Sequence, residues 1–334
     1  MRYSILLLVC ICNIFIHTQI FAQYKPDELG GKFQQRTINM PSDYEGDVIC
    51  TLVKSPCDST TNKAILYIHG FNDYFFQTDM AAKFDSAGYN FYALDLRKYG
   101  RSYLPGQIRF NVRNLNEYFP DIDSALTIIH HEGNKDVYLM GHSTGGLISA
   151  LYADARKNNE PIQGVLLNSP FLDQNQSWFK EKVLIPIVSF LARFFPNATI
   201  PQGISTEYGQ SLHKKYKGEW EYDTNKKLMQ SPPLTFSWIS AIYKGQQKIH
   251  KGLDIPVPVL VLHSDKSSED PADWNMFTNS DVVLDVKDIE KYGHKLAKDA
   301  NVQTIPNGLH DLVLSNKSSR DSTYRAFFNF LHQF

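Results

Sequence analysis

Residues Val137 to Met140 form a short apolar run that ends in Gly141-His142-Ser143-Thr144-Gly145-Gly146, after which Leu147, Ile148, Leu151 and Tyr152 recur at helical spacing. This order restricts the chain more than any other feature. A strand with no polar face must be covered on both sides. A helix that begins directly at its end must fold back over one of those faces. A mostly parallel sheet with helices on both faces satisfies both demands.

The rest of the chain follows the same pattern. Short apolar runs rich in β-branched and aromatic residues predict strands at Val48 to Val53, Ala64 to His69, Asn90 to Leu96, Asp136 to Met140, Ile162 to Leu167 and Val257 to His263. Amphipathic stretches predict helices at Asp79 to Ser86, Leu115 to His131, Gly146 to Lys157 and Arg320 to Phe334. In the last of these, Tyr324, Phe327, Phe328, Leu331 and Phe334 form a core stripe. Between Leu167 and Val257 the alternation stops. Trp178, Phe179, the run Val183 to Phe195, Tyr208, Trp220, Tyr222, Phe236 and Trp238 read as several short helices inserted over one edge of the sheet.

Hydrophobic residues make up 43% of the 334, so the bulk of the chain has enough apolar surface to build a core. Lys and Arg number 34 against 35 Asp and Glu, a net charge of −1. No positive field is available to hold a phosphate backbone, which argues against a nucleic-acid partner.

Arg2, the apolar run Ile5 to Ile16 broken by Asn13, and Ala22 as a small residue before a cut read as a secretory leader over residues 1–22. The run is shorter than the roughly 20 residues of a spanning helix. The expectation is a secreted or periplasmic protein. Cys10 and Cys12 fall in the leader, leaving Cys50 and Cys57, an even pair that could close a short loop in an oxidising compartment.

The chemistry centres on Ser143. A serine between a buried strand and a helix is pushed outward at a sharp turn, and glycines flank it because side chains there would strike neighbouring backbone. The helix that follows aims free N–H groups at the space where an oxyanion would form. No H-E-x-x-H, no Cys-x-x-Cys, no calcium loop and no phosphate-cradling glycine loop occurs, so neither metal nor organic cofactor is expected.

At these residues the sequence resembles the α/β-hydrolase family, in the branch of monoglyceride lipases, lysophospholipases and serine aminopeptidase-like hydrolases. Ile68-His69-Gly70-Phe71 is similar to the family's His-Gly oxyanion element. Asp95-Leu96-Arg97-Lys98-Tyr99-Gly100-Arg101-Ser102 is similar to its D-x-R-G-x-G-x-S loop, with Lys98 where glycine is usual. The likeness runs over roughly Ala64 to Leu172 and Pro256 to Phe334 and omits the insertion. It implies an α/β-hydrolase fold with a helical cap inserted after the sixth strand: core over 23–171 and 256–334, cap over 172–255. It also implies that the N–H groups of Phe71 and Thr144 form the oxyanion hole.

The family's order of serine, acid, histidine places the base late in the chain. His310 occupies the loop before the terminal helix, followed by Asp311. Two acids compete. Asp265 stands at the end of the strand Val257 to His263, whereas Asp281 opens Asp281-Val282-Val283-Leu284-Asp285, close to the family's D-x-V-x-D, after a polar excursion from Lys266 to Ser280. Asp281 is the better match; Asp270, Asp285 and Asp311 read as solvated or structural. A Ser143, Asp281, His310 set would hydrolyse carboxylic esters through an acyl-enzyme. The apolar run from Val183 to Phe195 points to a small-molecule or lipid ester of medium to long acyl chain, with peripheral membrane contact through the cap. The alternatives are a serine aminopeptidase, with Glu219, Glu221 and Asp223 as candidates to hold an α-amine, and a non-catalytic binding protein on the same scaffold.

Overall fold

The buried apolar runs assemble into one sheet. The structure is a computed structural model and describes residues 23–159, 161–201, 206–268 and 273–334. The expected leader and Asp270 lie outside these residues.

In chain order the first half comprises β1 (Lys25–Pro26), β2 (Gln34–Asp43), β3 (Gly46–Ser55), β4 (Lys63–Ile68), α1 (Thr78–Ser86), β5 (Asn90–Asp95), α2 (Phe119–His131), β6 (Asp136–His142), α3 (Thr144–Ala155) and β7 (Gly164–Asn168). The insertion carries α4 (Ile185–Leu191), β8 (Thr199–Ile200), α5 (Glu207–Leu212), β9 (Leu234–Thr235) and α6 (Phe236–Lys251). The chain then returns to the sheet with β10 (Val259–Ser264), α7 (Val286–Gly293), β11 (Asn301–Ile305) and α8 (Lys317–Leu331). Among the described residues the large sheet has nine strands in the order β1-β2-β3-β5-β4-β6-β7-β10-β11. The pairings from β1 through β3 to β5 are antiparallel and all others are parallel. Counted from β2, the insertion follows the sixth strand.

The central strands are apolar on both sides because both sides are covered. Ala64, Leu66, Ile68, Val137 and Leu139 pack into one core cluster with α2 and α3, while Ile65, Tyr67, Tyr138 and Met140 pack into a second with α1 and α8. Alternate residues serve opposite faces, as the pleat requires. In α8, Phe327 and Leu331 are fully buried, each stabilising the fold by about 1.5–3 kcal/mol. Phe334, expected in the same stripe, lies past the end of α8 and is exposed, because the helix stops at Leu331.

Two of the longer strands of the large sheet have no apolar run. β2 buries only Ile38 of its ten residues, and β11 lies at the sheet edge with only Ile305 buried. The pair Cys50 and Cys57 does not form a disulfide; both are free. Cys50 lies in the interior of β3 and Cys57 beyond its end, and the six residues of largely extended chain between them put them roughly 20 Å apart, far beyond disulfide reach.

The last helix of the insertion is tied to the core. Thr235 caps α6 by accepting a hydrogen bond from the Trp238 N–H at 3.1 Å, and Trp238, Ala241, Ile242 and Ile249 join the cluster under α3. No helix of the described residues is long and apolar enough to cross a membrane.

Candidate active site

The parallel strands β4, β6, β10 and β11 end on the same side of the sheet, and Phe71, Ser143, Asp281 and His310 lie on the connections beyond them in that order. Ser143 is the hinge between β6 and α3, with φ 53° and ψ −118°, a conformation that side chains rarely adopt. Neighbouring backbone holds it there: the Ser143 N–H donates to Asn168 O at 3.0 Å, and Ser143 O accepts from the N–H groups of Leu147 at 3.1 Å and Phe171 at 3.0 Å. The glycines of the motif answer to close approach. A Cβ on Gly145 would stand 2.3 Å from His69 O, and one on Gly141 would stand 2.5 Å from Gly145 O.

His310 Nε2 lies 2.9 Å from Ser143 Oγ, and His310 Nδ1 lies 2.9 Å from Asp281 Oδ2. Serine, histidine and aspartate, 167 and 29 residues apart along the chain, thus form one continuous hydrogen-bonded line with all three buried. Asp281 is fixed from its other side, where Oδ1 accepts from the N–H groups of Val283 and Leu284, each at 2.8 Å. The polar excursion closes on itself: Ser267 and Asp281 form an isolated bridge, and their neighbourhood is locked by Asp281 N to Lys266 O and Ser268 N to Asp281 O, both 3.0 Å. That bridge returns Asp281 to the end of β10. Asp265 is not brought to the imidazole; it is exposed and accepts from the Asn307 N–H at 2.8 Å. Asp285 caps α7, and Asp311 is buried, accepting from Asn168 Nδ2 at 2.7 Å and Gln77 Nε2 at 3.3 Å.

Thr144 is the first residue of α3, so its N–H is among those a helix leaves without an intrahelical acceptor. Phe71 follows directly after Gly70 at the mouth of β4, and its ring packs between Phe110 at 4.9 Å and Trp238 at 4.7 Å. His69 is a brace: its Nε2 accepts from the Leu96 N–H at 3.1 Å while Nδ1 faces Gly70 O at 2.8 Å. Burial pushes its pKa below the ordinary histidine value, so the ring stays neutral in that role.

The loop from Asp95 to Ser102 holds the segment that follows β4 from behind. Asp95 accepts from the Phe75 N–H, the Arg101 N–H and Arg101 Nη1, each at 2.9 Å. Arg97 pairs with buried Asp121 through Nη2 at 2.5 Å. Lys98 explains why glycine is the usual residue there. Its φ is +66°, and the side chain it carries is fully buried, with Nζ 2.8 Å from Asp43 Oδ2.

The residues just after Phe71 escaped the sequence reading. Asn72 donates to Leu228 O at 2.7 Å and Ser231 Oγ at 3.1 Å, and accepts from the Leu228 N–H at 2.9 Å. Asp73 pairs with Lys227 at 3.0 Å, and the Tyr74 hydroxyl accepts from the Asp223 N–H at 2.8 Å. Three consecutive residues after Phe71 are therefore latched to the insertion. Their only sequence signal was an Asn-Asp pair directly behind the oxyanion element; the partners are more than 140 residues away. Asp73, His142 and Asp311 bring one ligand-type atom each within 4.8 Å of one another, but the Lys227 ammonium supplies the cation there. His142 is kept neutral by burial.

A family model described as serine aminopeptidase, S33, matches residues 59–316. The monoglyceride lipase of Saccharomyces cerevisiae is 24% identical over 298 residues, covering 83% of this chain and 87% of that protein. Among solved structures, a soluble variant of that yeast lipase in complex with a substrate analogue superposes with a TM-score of 0.66 at 19% identity, covering 89% of this chain and 94% of the other. The monoacylglycerol lipase of Paleococcus ferrophilus gives 0.65 at 19% identity, covering 84% and 98%. The match over residues 59–316 and the shared sheet lead to one assignment: the chain belongs to the serine aminopeptidase S33 family and has the α/β-hydrolase fold.

Proposed function

We propose that this chain hydrolyses carboxylic esters of monoacylglycerol or lysophospholipid type, with medium to long acyl chains, through a Ser143–His310–Asp281 triad. The observation that carries the reading is the unbroken line from Ser143 Oγ to His310 to Asp281 at 2.9 Å per step. Ser143 attacks the carbonyl carbon while His310 Nε2 takes its proton. The carbonyl oxygen gains charge and is met by the N–H groups of Phe71 and Thr144. His310 returns the proton to the leaving alcohol, and water releases the acyl group by the same steps in reverse order. Asp281 fixes the imidazole tautomer and balances the imidazolium.

Ester rather than α-amine recognition is supported by the acids that would hold an amine. Glu219 and Glu221 are exposed and paired with Arg320 and Lys214. Asp223 faces Lys226, and buried Asp73 is already neutralised by Lys227. The names of the yeast and Paleococcus relatives, both lipases of monoacylglycerol, favour the same substrate class. In this reading residues 172–255 are a cap over the site, its apolar face rests on lipid, and residues 1–22 direct export to the periplasm or beyond.

A fluorophosphonate probe tests the nucleophile and a p-nitrophenyl ester series from acetyl to palmitoyl tests the acyl group. Labelling of the wild type but not of Ser143→Ala, with kcat/KM rising along the series, is the expected result. Absence of labelling overturns hydrolysis altogether, and a severalfold preference for acetyl overturns the lipid-like substrate.

A further inference from the structure

We infer that the cleft between α4 and α6 binds the anionic headgroup of a membrane phospholipid, beside an apolar stripe that enters the lipid. The inference deepens the lipid-ester reading and rests on it only for the choice of a lipid surface over other anionic partners.

The cleft has a volume of about 630 Å³ and is separate from the triad. Arg113, Arg193 and Lys244 line it together with Pro186, Ser189 and Phe190. All three cations are exposed, and among the described residues none has a carboxylate within ion-pair distance. Arg113 is held in place by stacking on the Tyr44 ring at 3.8 Å, and the floor is closed by the Ser189 and Ser240 hydroxyls, 2.9 Å apart. A concave wall of three unpaired cations attracts an anion, and the proline and phenylalanine that share the wall suit one attached to an apolar body.

The lipid source follows from what adjoins the cleft. Leu184, Ile187, Phe190 and Phe194 fall on one side of the helical segment at spacings of three, three and four, and all are exposed, Phe190 at 64% and Phe194 at 60%. Phe190 belongs to both stripe and cleft, so the cations stand where an inserted stripe would meet the headgroups. Residues 176–200 carry Lys180, Lys182 and Arg193 against Glu181, a net of three minus one, or +2, in a chain whose total is −1. An apolar stripe edged by basic residues is the pattern of segments that lie in an anionic membrane interface.

The test is flotation of the full protein with vesicles of phosphatidylcholine alone and of phosphatidylcholine with phosphatidylglycerol, at low and high salt. Each basic residue near an anionic surface contributes about fivefold to binding, so Arg113→Gln/Arg193→Gln/Lys244→Gln should weaken binding to the anionic vesicles by on the order of a hundredfold at low salt. Binding to neutral vesicles should be unchanged. Ile187→Ser/Phe194→Ser should weaken binding to both. Equal binding of the triple variant and the wild type to anionic vesicles overturns the inference. So does protection of the wild type, but not the triple variant, by millimolar inorganic phosphate without any vesicle binding, which would identify a soluble anion. Turnover of a water-soluble acetyl ester reports the catalytic reading separately: a wild type that floats but does not turn over leaves the headgroup site standing and removes the hydrolase.

Discussion

Replacing Asp281 by Asn discriminates between orientation of the imidazole and mere proximity of charge. Asp281 Oδ1 accepts two backbone N–H groups at 2.8 Å, and an amide can satisfy both only by placing its carbonyl oxygen there. Its NH₂ must then face His310 Nδ1, where the carboxylate Oδ2 now stands at 2.9 Å. An NH₂ cannot accept a proton, so Nδ1 becomes the acceptor and Nε2 carries the hydrogen, now directed at Ser143 Oγ. The base is lost while the shape of the site is kept. A wrong tautomer of this kind costs about 10⁴ in kcat, or about 5.5 kcal/mol of transition-state stabilisation. The exposed Asp265 carboxylate meets the Asn307 N–H and the Ser264 hydroxyl and not the imidazole, so Asp265→Asn should change kcat/KM by no more than about twofold. Initial rates on p-nitrophenyl butyrate for both variants, with urea unfolding to establish equal folding, decide the matter. An Asp281→Asn enzyme that keeps a tenth of the activity, or an Asp265→Asn enzyme that loses as much as Asp281→Asn should, refutes the assignment.

Two further outcomes follow from packing and ionisation. Gly145→Ala would set a methyl 2.3 Å from His69 O and 2.4 Å from Ile68 O, both main-chain atoms of the β4 end; a loss of about 3 kcal/mol in urea denaturation is expected, and a neutral result would mean the elbow is looser than described. Burial, reinforced by Asp173 and Asp285, raises the Asp288 pKa from 3.8 to about 6. The unfolded carboxyl gives up its proton first as pH rises, so stability falls between about pH 4 and 6 and stays lower above. Asp288→Asn should therefore gain about 1 kcal/mol at pH 8, after allowance for solvent screening of a half-buried group, and nothing at pH 3.5; thermal melts at the two pH values would show a gain of equal size at both if the reasoning is wrong.

What could be read in the sequence was what repeats locally. β4, β5, β6, β7 and β10 are buried on both faces and announce themselves as apolar runs, and the glycines around Ser143 mark a place where backbones nearly touch. β2 and β11 border solvent and need no such run, so their polar residues hid them. Asp281 was separable from Asp265 only by likeness to a pattern, because the bridge from Ser267 that carries it back to the sheet is made by backbone atoms without residue preference. The contacts of half-buried Asn72 and buried Asp73 were invisible for a different reason. Their partners at 227–231 depend on how the insertion folds, and nothing nearby in the chain specifies that.

Those contacts tie residues 223–231 of the insertion and the three residues after Phe71 into one mechanical piece. A hydrogen bond is largely forfeited once its partners separate by about 1 Å. Residues 223–231 therefore cannot lift without releasing Asn72, Asp73 and Tyr74 together, immediately beside the Phe71 N–H. Under the proposed cap reading, entry of a bulky guest and readiness for chemistry are thus opposed: the segment that would lift to admit the guest is tied to the residues beside the N–H proposed to meet the carbonyl oxygen.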